Sequence, residues 1–586
     1  MRFLRNLLAA ILGCLIAFGI LFIMFMVFVS ILGSTDDAIS IKEDSVLELQ
    51  FQLPLADYVG NDEVDPFGLM MQQSQGLDEI LHAIEVAKND GNIRGISLSE
   101  NFLMAGWAQT QSIRKTLEDF KQSGKFVYAY GDYYLQKDYY LASVADSIFL
   151  NPVGAMDFKG LSSEVLFYKE FQEKTGIKME VVRHGKYKSA VEPFLEDKMS
   201  EANRDQIKEL LSSVWKSVVN GISESRHMDV TQLNAIADTL GGRTPEYAVR
   251  TGLIDGTLFH DEYEEKLRHA LGLDADGRIN YVSLNDYTKK SNLKKLRTGK
   301  DKVAVIYAQG DILYGEGNQE YIGQEMMLRA IRRVRDDDRI KAVVLRVNSP
   351  GGNALTSDII WRGLELLKQE KPLVVSMGNV AASGGYYIAV GAHKIFAEPT
   401  TITGSIGVFG TIPNVHGLAE DIGINAEQVG THKNSIDYSF FEPMSDGFRK
   451  VVKEGIEEVY GTFLDRVAQG RGMTVAEVDS IAQGRVWSGV EAHRLGLVDE
   501  LGTLEDAIEA AADMADMESY GIKRLPRYKT GLERLLEDLE GSGAGMRASW
   551  IQREFGEEAY QVMQQLKPNR GKKGIQARLP FDLNIK

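Results

Sequence analysis

KAVVLRVNSPGGNALTSDIIWRGLELLKQEKPLVVSMGNVAASGGYY, residues 341–387, carries the pattern from which the fold class follows. Two short apolar runs, KAVVLRVNS and LVVSMG, flank a segment whose apolar residues recur at helical spacing. Such runs are typical of strands that are buried on both faces. Because strands alternate with helices here, the sequence predicts βαβ units and a largely parallel sheet covered by helices. The predicted fold class is therefore α/β.

This pattern occurs twice in the chain. DGNIRGISL at 90–98 matches DDRIKAVVL at 337–345, and further matches follow in the same order with only small gaps. Self-similarity of this kind indicates two copies of one fold. We predict a first repeat at 45–280, a basic linker at 281–302, a second repeat at 303–520 and a C-terminal extension at 521–586, in which we identify no chemistry.

An uncharged apolar run of 27 residues occupies positions 7–33. At about 1.5 Å per residue it can cross a hydrocarbon core of about 30 Å with some tilt. Arg2 and Arg5 precede the run and an acidic pair begins at Asp36, so the positive-inside rule predicts a cytoplasmic stub at 1–6, a transmembrane anchor and an external body. The alternative is a cleaved signal peptide, whose apolar core would be shorter and would end at a small-x-small site.

The composition excludes several classes of protein. The chain has 586 residues, 83 acidic and 66 basic, and a net charge of −17, which argues against a nucleic-acid partner bound through a global basic field. Its single cysteine, Cys14, lies in the apolar run and excludes an intrachain disulfide or a cysteine metal cluster. The nine histidines form no HExxH pair. The histidine pattern therefore argues against a zinc hydrolase.

A candidate nucleophile lies in the second repeat. Ser383 follows a predicted strand and precedes two glycines and a helical pattern, as in a nucleophile turn, although an N-cap serine would look the same. The corresponding residue of the first repeat is Gln136. Because only one repeat retains Ser-Gly-Gly, one active repeat and one scaffolding repeat are indicated.

Two other segments rich in small residues follow neighbouring strands. The turn Pro350-Gly351-Gly352 allows close approach of the backbone, and its amides either stabilise an oxyanion or simply make a tight turn. Ser405, in TITGSIGVFG, is either a rival nucleophile or a residue that orients the base, and Phe158 corresponds to it in the first repeat.

A serine nucleophile needs a base. His393 lies ten residues beyond Ser383, is expected at the far end of the same helix and should not reach back, and His432 lies in a polar turn. Lys188 and Lys433 occupy equivalent positions in the two repeats. A lysine base requires a pKa about three units below its usual value, which burial in an apolar pocket can supply.

Several motifs together resemble the signal peptide peptidase A (protease IV) family in its long, tandem-repeat form: ASGGYY, TGSIGVFG, NSPGG, GKYKSA, GRVWSG and GLVDELG. That family comprises serine/lysine-dyad peptidases, so the resemblance implies two tandem Clp protease/crotonase-like βαβ domains after one N-terminal transmembrane helix. It implies that Ser383 is the nucleophile, Lys188 the general base and Ser405 the residue that orients this lysine. The oxyanion amides would be those of Gly351, Gly352 and Gly384.

Lys433 is the rival base, because it matches the lysine position of single-copy family members. Tyr187 and Ala190 flank Lys188 and make its surroundings apolar, whereas Asn434 and Ser435 follow Lys433 and would keep it solvated. A lysine that accepts a proton must be uncharged, and a water-poor setting favours the uncharged form. The sequence therefore favours Lys188.

The resemblance implies a membrane-anchored serine endopeptidase that cleaves hydrophobic peptides such as signal-peptide remnants. It would be a single-pass protein of the bacterial inner membrane with its body in the periplasm, would assemble as a homotetramer and would require no cofactor and no metal. The alternatives are a crotonase-like acyl-CoA enzyme and a catalytically inactive membrane scaffold on the same fold. An external body has no supply of CoA, so topology discriminates between the peptidase and the acyl-CoA enzyme.

Overall fold

The computed structural model describes residues 41–51, 53–60, 74–99, 102–291, 297–432, 435, 439–528 and 576–578, and at the N-terminus 2, 5, 6, 10–14, 16–21 and 24. Lys433 lies outside these residues, as does much of the predicted anchor at 7–33. Residues 10–14 and 16–21 are helical. Within the described part of the chain, no helix has both the length and the hydropathy needed to cross a membrane. The anchor therefore stays a prediction.

The first repeat is built on a six-stranded sheet in the order β8-β6-β5-β4-β1-β9, and all of its strand pairs are parallel. Its strands are β1 (Ser45–Leu49), β2 (Leu55–Ala56), β3 (Gln75–Gly76), β4 (Ile93–Leu98), β5 (Phe126–Tyr134), β6 (Ser147–Met156), β7 (Lys178–His184), β8 (Gly256–Thr257) and β9 (Asn280–Ser283). Its helices are α1 (Leu77–Asn89), α2 (Trp107–Lys121), α3 (Gln136–Ala142), α4 (Lys169–Thr175), α5 (Glu192–Leu195), α6 (Glu201–Arg226), α7 (Val230–Asp238), α8 (Pro245–Thr251), α9 (His260–Leu271) and α10 (Leu284–Ser291), with a 3₁₀ turn at Ser189–Val191.

The second repeat has a sheet in the order β19-β17-β15-β13-β10-β21, and β16 and β20 extend it beside β15. Its strands are β10 (Lys302–Gln309), β11 (Asp311–Leu313), β12 (Tyr321–Gly323), β13 (Ile340–Ser349), β14 (Gly351–Asn353), β15 (Leu373–Ala382), β16 (Lys394–Ala397), β17 (Ile402–Gly404), β18 (Val408–Asn414), β19 (Val486–Ser488), β20 (Glu500–Leu501) and β21 (Gly521–Leu525). Its helices are α11 (Gln324–Arg335), α12 (Ala354–Lys368), α13 (Gly384–Ala389), α14 (His416–Asp421), α15 (Asp446–Arg471), α16 (Val475–Ile481), α17 (Gly489–Arg494) and α18 (Leu504–Asp513).

The two sheets share one strand order, as expected for two copies of one fold. In the first, β1, β4, β5 and β6 are successive neighbours, and in the second the matching neighbours are β10, β13, β15 and β16. The central strands are almost entirely buried, because helices cover both faces of each sheet. The predicted α/β class with two parallel-sheet repeats is confirmed.

A third sheet joins the two repeats. Its order is β12-β11-β14-β22-β18-β7, where β22 is the C-terminal strand Gln576–Arg578. Strand β7 of the first repeat pairs antiparallel with β18 of the second, from His184 opposite Val408 to Lys178 opposite Asn414. The residues that follow β7 are therefore held against the second repeat.

A buried ion pair also connects the repeats. Arg346 on β13 donates from Nε to Asp57 Oδ2 at 2.8 Å, and the two side chains are 1% and 2% exposed. The Arg346 Nη1 group donates to Ser376 Oγ, and Gln109 Nε2 donates to Asp57 Oδ1. Both charges are thus desolvated and hydrogen-bonded, so removal of one would leave the other uncompensated.

We predict that Asp57→Ala lowers the free energy of unfolding by about 3–5 kcal/mol, because it leaves the Arg346 guanidinium buried without its counter-charge. The double variant Asp57→Ala/Arg346→Met should recover part of this loss. Urea unfolding followed by tryptophan fluorescence measures both changes. Asp157→Ala is the matched control, because Asp157 forms an exposed pair with Lys159 and its loss should cost less than about 1 kcal/mol. Equal effects of Asp57→Ala and Asp157→Ala would contradict the prediction.

Candidate active site

Ser383 lies at the junction between β15, which ends at Ala382, and α13, which begins at Gly384. Its backbone has φ 54° and ψ −115°, a conformation that costs energy for a residue with a Cβ. Two hydrogen bonds hold it there: Ser383 N–H donates to the Gly404 carbonyl at 2.8 Å, and Tyr387 N–H donates to the Ser383 carbonyl at 2.9 Å. A sharp, strained turn of this kind is typical of a serine nucleophile between a strand and a helix.

Lys188 of the first repeat reaches this serine. Its Nζ lies 2.9 Å from Ser383 Oγ, 2.9 Å from Ser405 Oγ and 3.0 Å from the Ser405 carbonyl oxygen. All three residues are fully buried. The structure thus brings together three of the predicted site residues, and Lys188 and Ser383 are 195 positions apart in the chain.

Burial lowers the pKa of Lys188 well below its ordinary value of 10.5, and desolvation is the cause. Since its hydrogen-bond partners in the described part of the chain are hydroxyl and carbonyl oxygens rather than carboxylates, the uncharged amine is favoured in this site. An uncharged amine has one lone pair and two N–H donors. These match its three neighbours: the lone pair can accept the Ser383 hydroxyl proton, while the N–H groups donate to the Ser405 hydroxyl and carbonyl oxygens.

Two glycines pack against Lys188, and sequence reasoning did not identify them as part of the site. A Cβ on Gly484 would lie 2.6 Å from Lys188 Cβ, and one on Gly407 would lie 3.2 Å from Lys188 Cδ. Both glycines stand in motifs quoted above, GRVWSG and TGSIGVFG. The motifs alone did not indicate that these glycines contact Lys188. Their lack of side chains lets the backbone close over the lysine and exclude water.

The turn Pro350-Gly351-Gly352 lies beside the start of α13. Gly351 and Gly352 form part of β14, and a Cβ on Gly385 would lie 2.6 Å from the Ser349 carbonyl oxygen. The Gly351 N–H donates to Ser349 Oγ at 3.2 Å. Gly384 is the first residue of α13, and the first N–H groups of a helix have no partner within it. The amides predicted for the oxyanion therefore flank the Ser383 turn.

The predicted histidine alternatives lie elsewhere. His393 Nδ1 accepts a hydrogen bond from Leu373 N–H, at the start of β15, whereas Ser383 follows the end of that ten-residue strand. At about 3.3 Å per residue the two ends are about 30 Å apart. His432 is exposed and its Nδ1 lies 2.9 Å from Thr431 Oγ1. Helix α13 ends at Ala389, so the expectation that His393 lies at its far end is wrong.

In the first repeat, other side chains occupy the positions that correspond to Ser383 and Ser405. Gln136 Oε1 accepts hydrogen bonds from the N–H groups of Lys159 and Gly160, each at 2.9 Å, and its Nε2 donates to the Gly160 carbonyl at 2.9 Å. Phe158, which corresponds to Ser405, is buried and packs edge-on against Tyr139. Gln136, at the position of Ser383, thus forms hydrogen bonds to the loop at residues 159–160. Phe158, at the position of Ser405, has no hydroxyl group.

No group of three or more His, Cys, Asp or Glu side chains among the described residues is arranged to hold a metal ion.

Comparison with known proteins identifies the class of the chain. The family model "Peptidase family S49" matches residues 119–274 and 365–518, one segment in each repeat. The chain is 37% identical over 448 residues to "Protease 4" of Haemophilus influenzae, covering 75% of this chain and 73% of that protein. It is 34% identical to "Serine protease SPPA, chloroplastic" of Arabidopsis thaliana, covering 78% of this chain and 69% of the relative.

One solved structure, a mutant of ClpP1 from Listeria monocytogenes, covers 35% of this chain and 94% of its own at 16% identity, with a TM-score of 0.23. A similarity this low carries no argument about the fold. The specific likeness to Clp protease and crotonase therefore stays a prediction.

The relatives and the two family matches define this chain as a serine peptidase. It belongs to peptidase family S49. The predicted resemblance to the protease IV family is confirmed, and the matches give no support to an acyl-CoA enzyme or an inactive scaffold.

We predict that Lys188→Ala lowers kcat by about 10³-fold or more with little loss of stability, because it removes the amine that lies within hydrogen-bond distance of Ser383 Oγ. Lys188→Arg should not restore activity, since a guanidinium stays protonated. Lys433→Ala is the matched control and should retain most activity. The measurement is steady-state cleavage of a fluorogenic peptide. A dead Lys433→Ala enzyme together with an active Lys188→Ala enzyme would contradict the assignment.

The lowered pKa of Lys188 also predicts two pH dependences. The activity should rise with pH through an apparent pKa well below 10.5. The unfolded chain binds a proton at this lysine where the folded chain does not, so stability should rise with pH up to the ordinary lysine range. Lys188→Met should therefore stabilise the protein most at neutral pH, and this gain should shrink as the pH approaches the ordinary lysine pKa of about 10.4. Thermal unfolding at several pH values measures it, and a gain that does not vary with pH would contradict the prediction.

Proposed function

We propose that this chain is a membrane-anchored endopeptidase that uses Ser383 as nucleophile and Lys188 as general base to cleave hydrophobic peptides. The observation that carries the proposal is the 2.9 Å separation between Lys188 Nζ and Ser383 Oγ in a fully buried site. The low pKa of Lys188 supports the role of base, because desolvation favours the uncharged amine that can accept a proton. Nucleophile and base within hydrogen-bond distance are the minimum requirement for acyl transfer through serine.

In the acylation step, the Ser383 hydroxyl proton passes to Lys188 Nζ as Oγ bonds to the scissile carbonyl carbon. The ammonium that forms keeps three oxygen partners, because Ser405 offers its hydroxyl and its carbonyl in addition to Ser383 Oγ. It then gives the proton to the leaving amine as the C–N bond breaks, which leaves an acyl ester on Ser383. Water attacks this ester with Lys188 again as the base, and the proton returns to Ser383 Oγ.

Backbone amides beside the serine would stabilise the oxyanion of each tetrahedral intermediate. Gly384 is the first residue of helix α13. The first N–H groups of a helix have no partner within it, and the helix dipole favours negative charge at that end. Gly351 and Gly352 have φ values of 98° and 156°, in a region that glycine tolerates best. A Cβ at Gly352 would lie 2.1 Å from the Ile312 carbonyl oxygen, so no side chain fits at this position.

The apolar run 7–33 and the charges on either side of it support a single anchor in the bacterial inner membrane, with the body in the periplasm. In that location the substrates would be hydrophobic peptides, signal-peptide remnants among them. The resemblance to the long form of the family supports a homotetramer that needs no cofactor. These assignments belong to the proposal.

Ser383→Ala should abolish peptide cleavage and labelling by a fluorophosphonate, because it removes the oxygen that forms the acyl bond. The detergent-solubilised protein is labelled, digested and analysed by mass spectrometry, and the label is expected on the peptide that contains Ser383. Ser405→Ala is the control for a rival nucleophile and should remain labelled at Ser383, although more slowly. Labelling at Ser405, or cleavage by the Ser383→Ala variant, would refute the assignment.

A phosphatase fused after residue 302 should be active in the periplasm if the anchor has the predicted orientation. Green fluorescent protein fused at the same point, which does not fluoresce when exported unfolded, should stay dark. The paired reporters measure topology independently of peptidase activity. A bright fluorescent fusion and an inactive phosphatase would place the body in the cytoplasm and overturn the localisation.

A further inference from the structure

A buried glutamine, Gln206 on helix α6, connects the two repeats beside the lysine. Its side chain is 2% exposed. Its Nε2 group donates to Ser189 Oγ at 3.3 Å and lies 3.4 Å from Asn203 Oδ1, and its Oε1 accepts from Val486 N–H at 3.0 Å. Ser189 directly follows Lys188 in the first repeat, whereas Val486 begins strand β19 of the second. One amide therefore joins the segment that carries the lysine to the second repeat.

The residues just before Val486 form one wall of the lysine site. Gly484 packs so closely that a Cβ there would lie 2.6 Å from Lys188 Cβ. The carbonyl of Arg485 accepts the Ser405 N–H at 2.7 Å. The short segment that ends at Val486 thus contacts the lysine and also holds the backbone of the serine that accepts hydrogen bonds from it.

Strand β19 is the outermost strand of its sheet and pairs only with β17 within the order given above. Val486 stands opposite Gly404 of β17, and the Gly404 carbonyl accepts the Ser383 N–H at 2.8 Å. An outer strand has backbone groups that no second strand can pair, and for Val486 N–H the partner is Gln206 Oε1. The glutamine therefore holds the edge of the sheet that supports the Ser383 turn through Gly404.

Helix α6 lies along β19 and contacts it through three side chains on one face. Gln206, Glu209 and Ser213 follow one another at spacings of three and four residues, which places them on the same side of a helix. Glu209 forms an ion pair with Arg485, and Ser213 Oγ lies 2.7 Å from Ser488 Oγ. These contacts fix the height of the helix against the strand, so the amide of Gln206 has a defined place.

We propose that Gln206 is a positioning residue, whose amide holds the Lys188 segment against the Gly484 wall and so closes the lysine site to water. The inference rests on the proposed function, because it concerns the lysine that acts there as general base. Without the amide, Val486 N–H and Ser189 Oγ would each lose a partner in a cavity lined by polar atoms, which water can enter. Water solvates the charged amine, so Lys188 would keep its proton to a higher pH.

Other charged side chains lie on the elements around the lysine. Arg183 Nη1 donates to the Lys188 carbonyl at 3.4 Å, and Glu192 Oε2 accepts from Asn203 Nδ2 at 2.6 Å. The titratable and charged groups on the neighbouring elements also include His184, Lys186, Glu209, Tyr460, Asp479 and Arg485. A neutral substitution at Gln206 retains all of these groups, so a change in the pH profile would report the solvation of the lysine.

The test compares Gln206→Ala with the unaltered full-length protein, both solubilised in detergent. The rate constant for fluorophosphonate labelling of Ser383 is measured from about pH 5 to about pH 10, a range that spans a lowered lysine pKa. The apparent pKa should rise by about one unit or more in Gln206→Ala, so that labelling at a pH below both values falls about tenfold. At the alkaline plateau the two proteins should label at similar rates, because Lys188 is then uncharged in both.

Gln172→Ala is the matched control. Gln172 is a buried glutamine of the same repeat, and its amide also joins two backbone groups: Nε2 donates to the Phe194 carbonyl at 2.7 Å, and Oε1 accepts from Met179 N–H at 2.6 Å. Both partners belong to the first repeat, so this amide makes no link to the wall over Lys188. Its loss should leave the apparent pKa unchanged. An unchanged apparent pKa in Gln206→Ala, or an equal rise in both variants, would overturn the inference.

A second variant keeps the test decisive if Gln206→Ala does not fold. Gln206→Met keeps the length of the side chain and removes both hydrogen bonds, so the apparent pKa should again rise, and an unchanged value would overturn the inference. The site of labelling separates the two proposals. Labelling at Ser383 with an unchanged apparent pKa refutes only the role of Gln206, whereas absence of labelling at Ser383 in the unaltered protein refutes the catalytic assignment itself.

Discussion

The structure depends on the buried amine of Lys188, whose hydrogen-bond partners among the described residues include no carboxylate. In the described part of the chain, the hydrogen-bonding neighbours of Lys188 Nζ are oxygen atoms of Ser383 and Ser405, and desolvation lowers its pKa. Burial of a charge in this way is costly, so the uncharged amine is the form that the folded chain stabilises. The uncharged form of the Lys188 amine therefore requires that water be excluded from the site. The glycines at 407 and 484, which allow the backbone to close on the lysine, are as necessary to that condition as the lysine.

The duplication divides one site between two repeats. The first repeat contributes Lys188, which the pairing of β7 with β18 positions, and the second contributes Ser383, the glycine turn and Ser405. Where the first repeat would have its own nucleophile, Gln136 forms hydrogen bonds to a loop instead. A contact between Lys188 and Ser383, made across the two repeats, requires that the repeats keep one relative position. The ion pair between Asp57 and Arg346 contributes to this, since it is buried and joins the two repeats.

The third sheet brings the C-terminal strand β22 close to the candidate active site. It places β14 and β18 on either side of β22, and helix α13, which begins immediately after Ser383, contacts β22. Backbone hydrogen bonds between paired strands do not depend on the identity of the side chains.

Local patterns in the sequence were sufficient to predict the alternation of strands and helices, the two repeats and Ser383 as the candidate nucleophile, because periodicity and the residues of a strand-to-helix turn are encoded over a few neighbouring positions. They also reduced the candidates for the general base to two lysines, Lys188 and Lys433. The contact between Lys188 and Ser383 was decided by tertiary structure, since it depends on strand pairing between segments about 200 residues apart. The tertiary structure also decided the place of residues 576–578 in the third sheet. A short segment has no sequence pattern that specifies its partner strands, so its position depends on the edges of β14 and β18 with which it pairs.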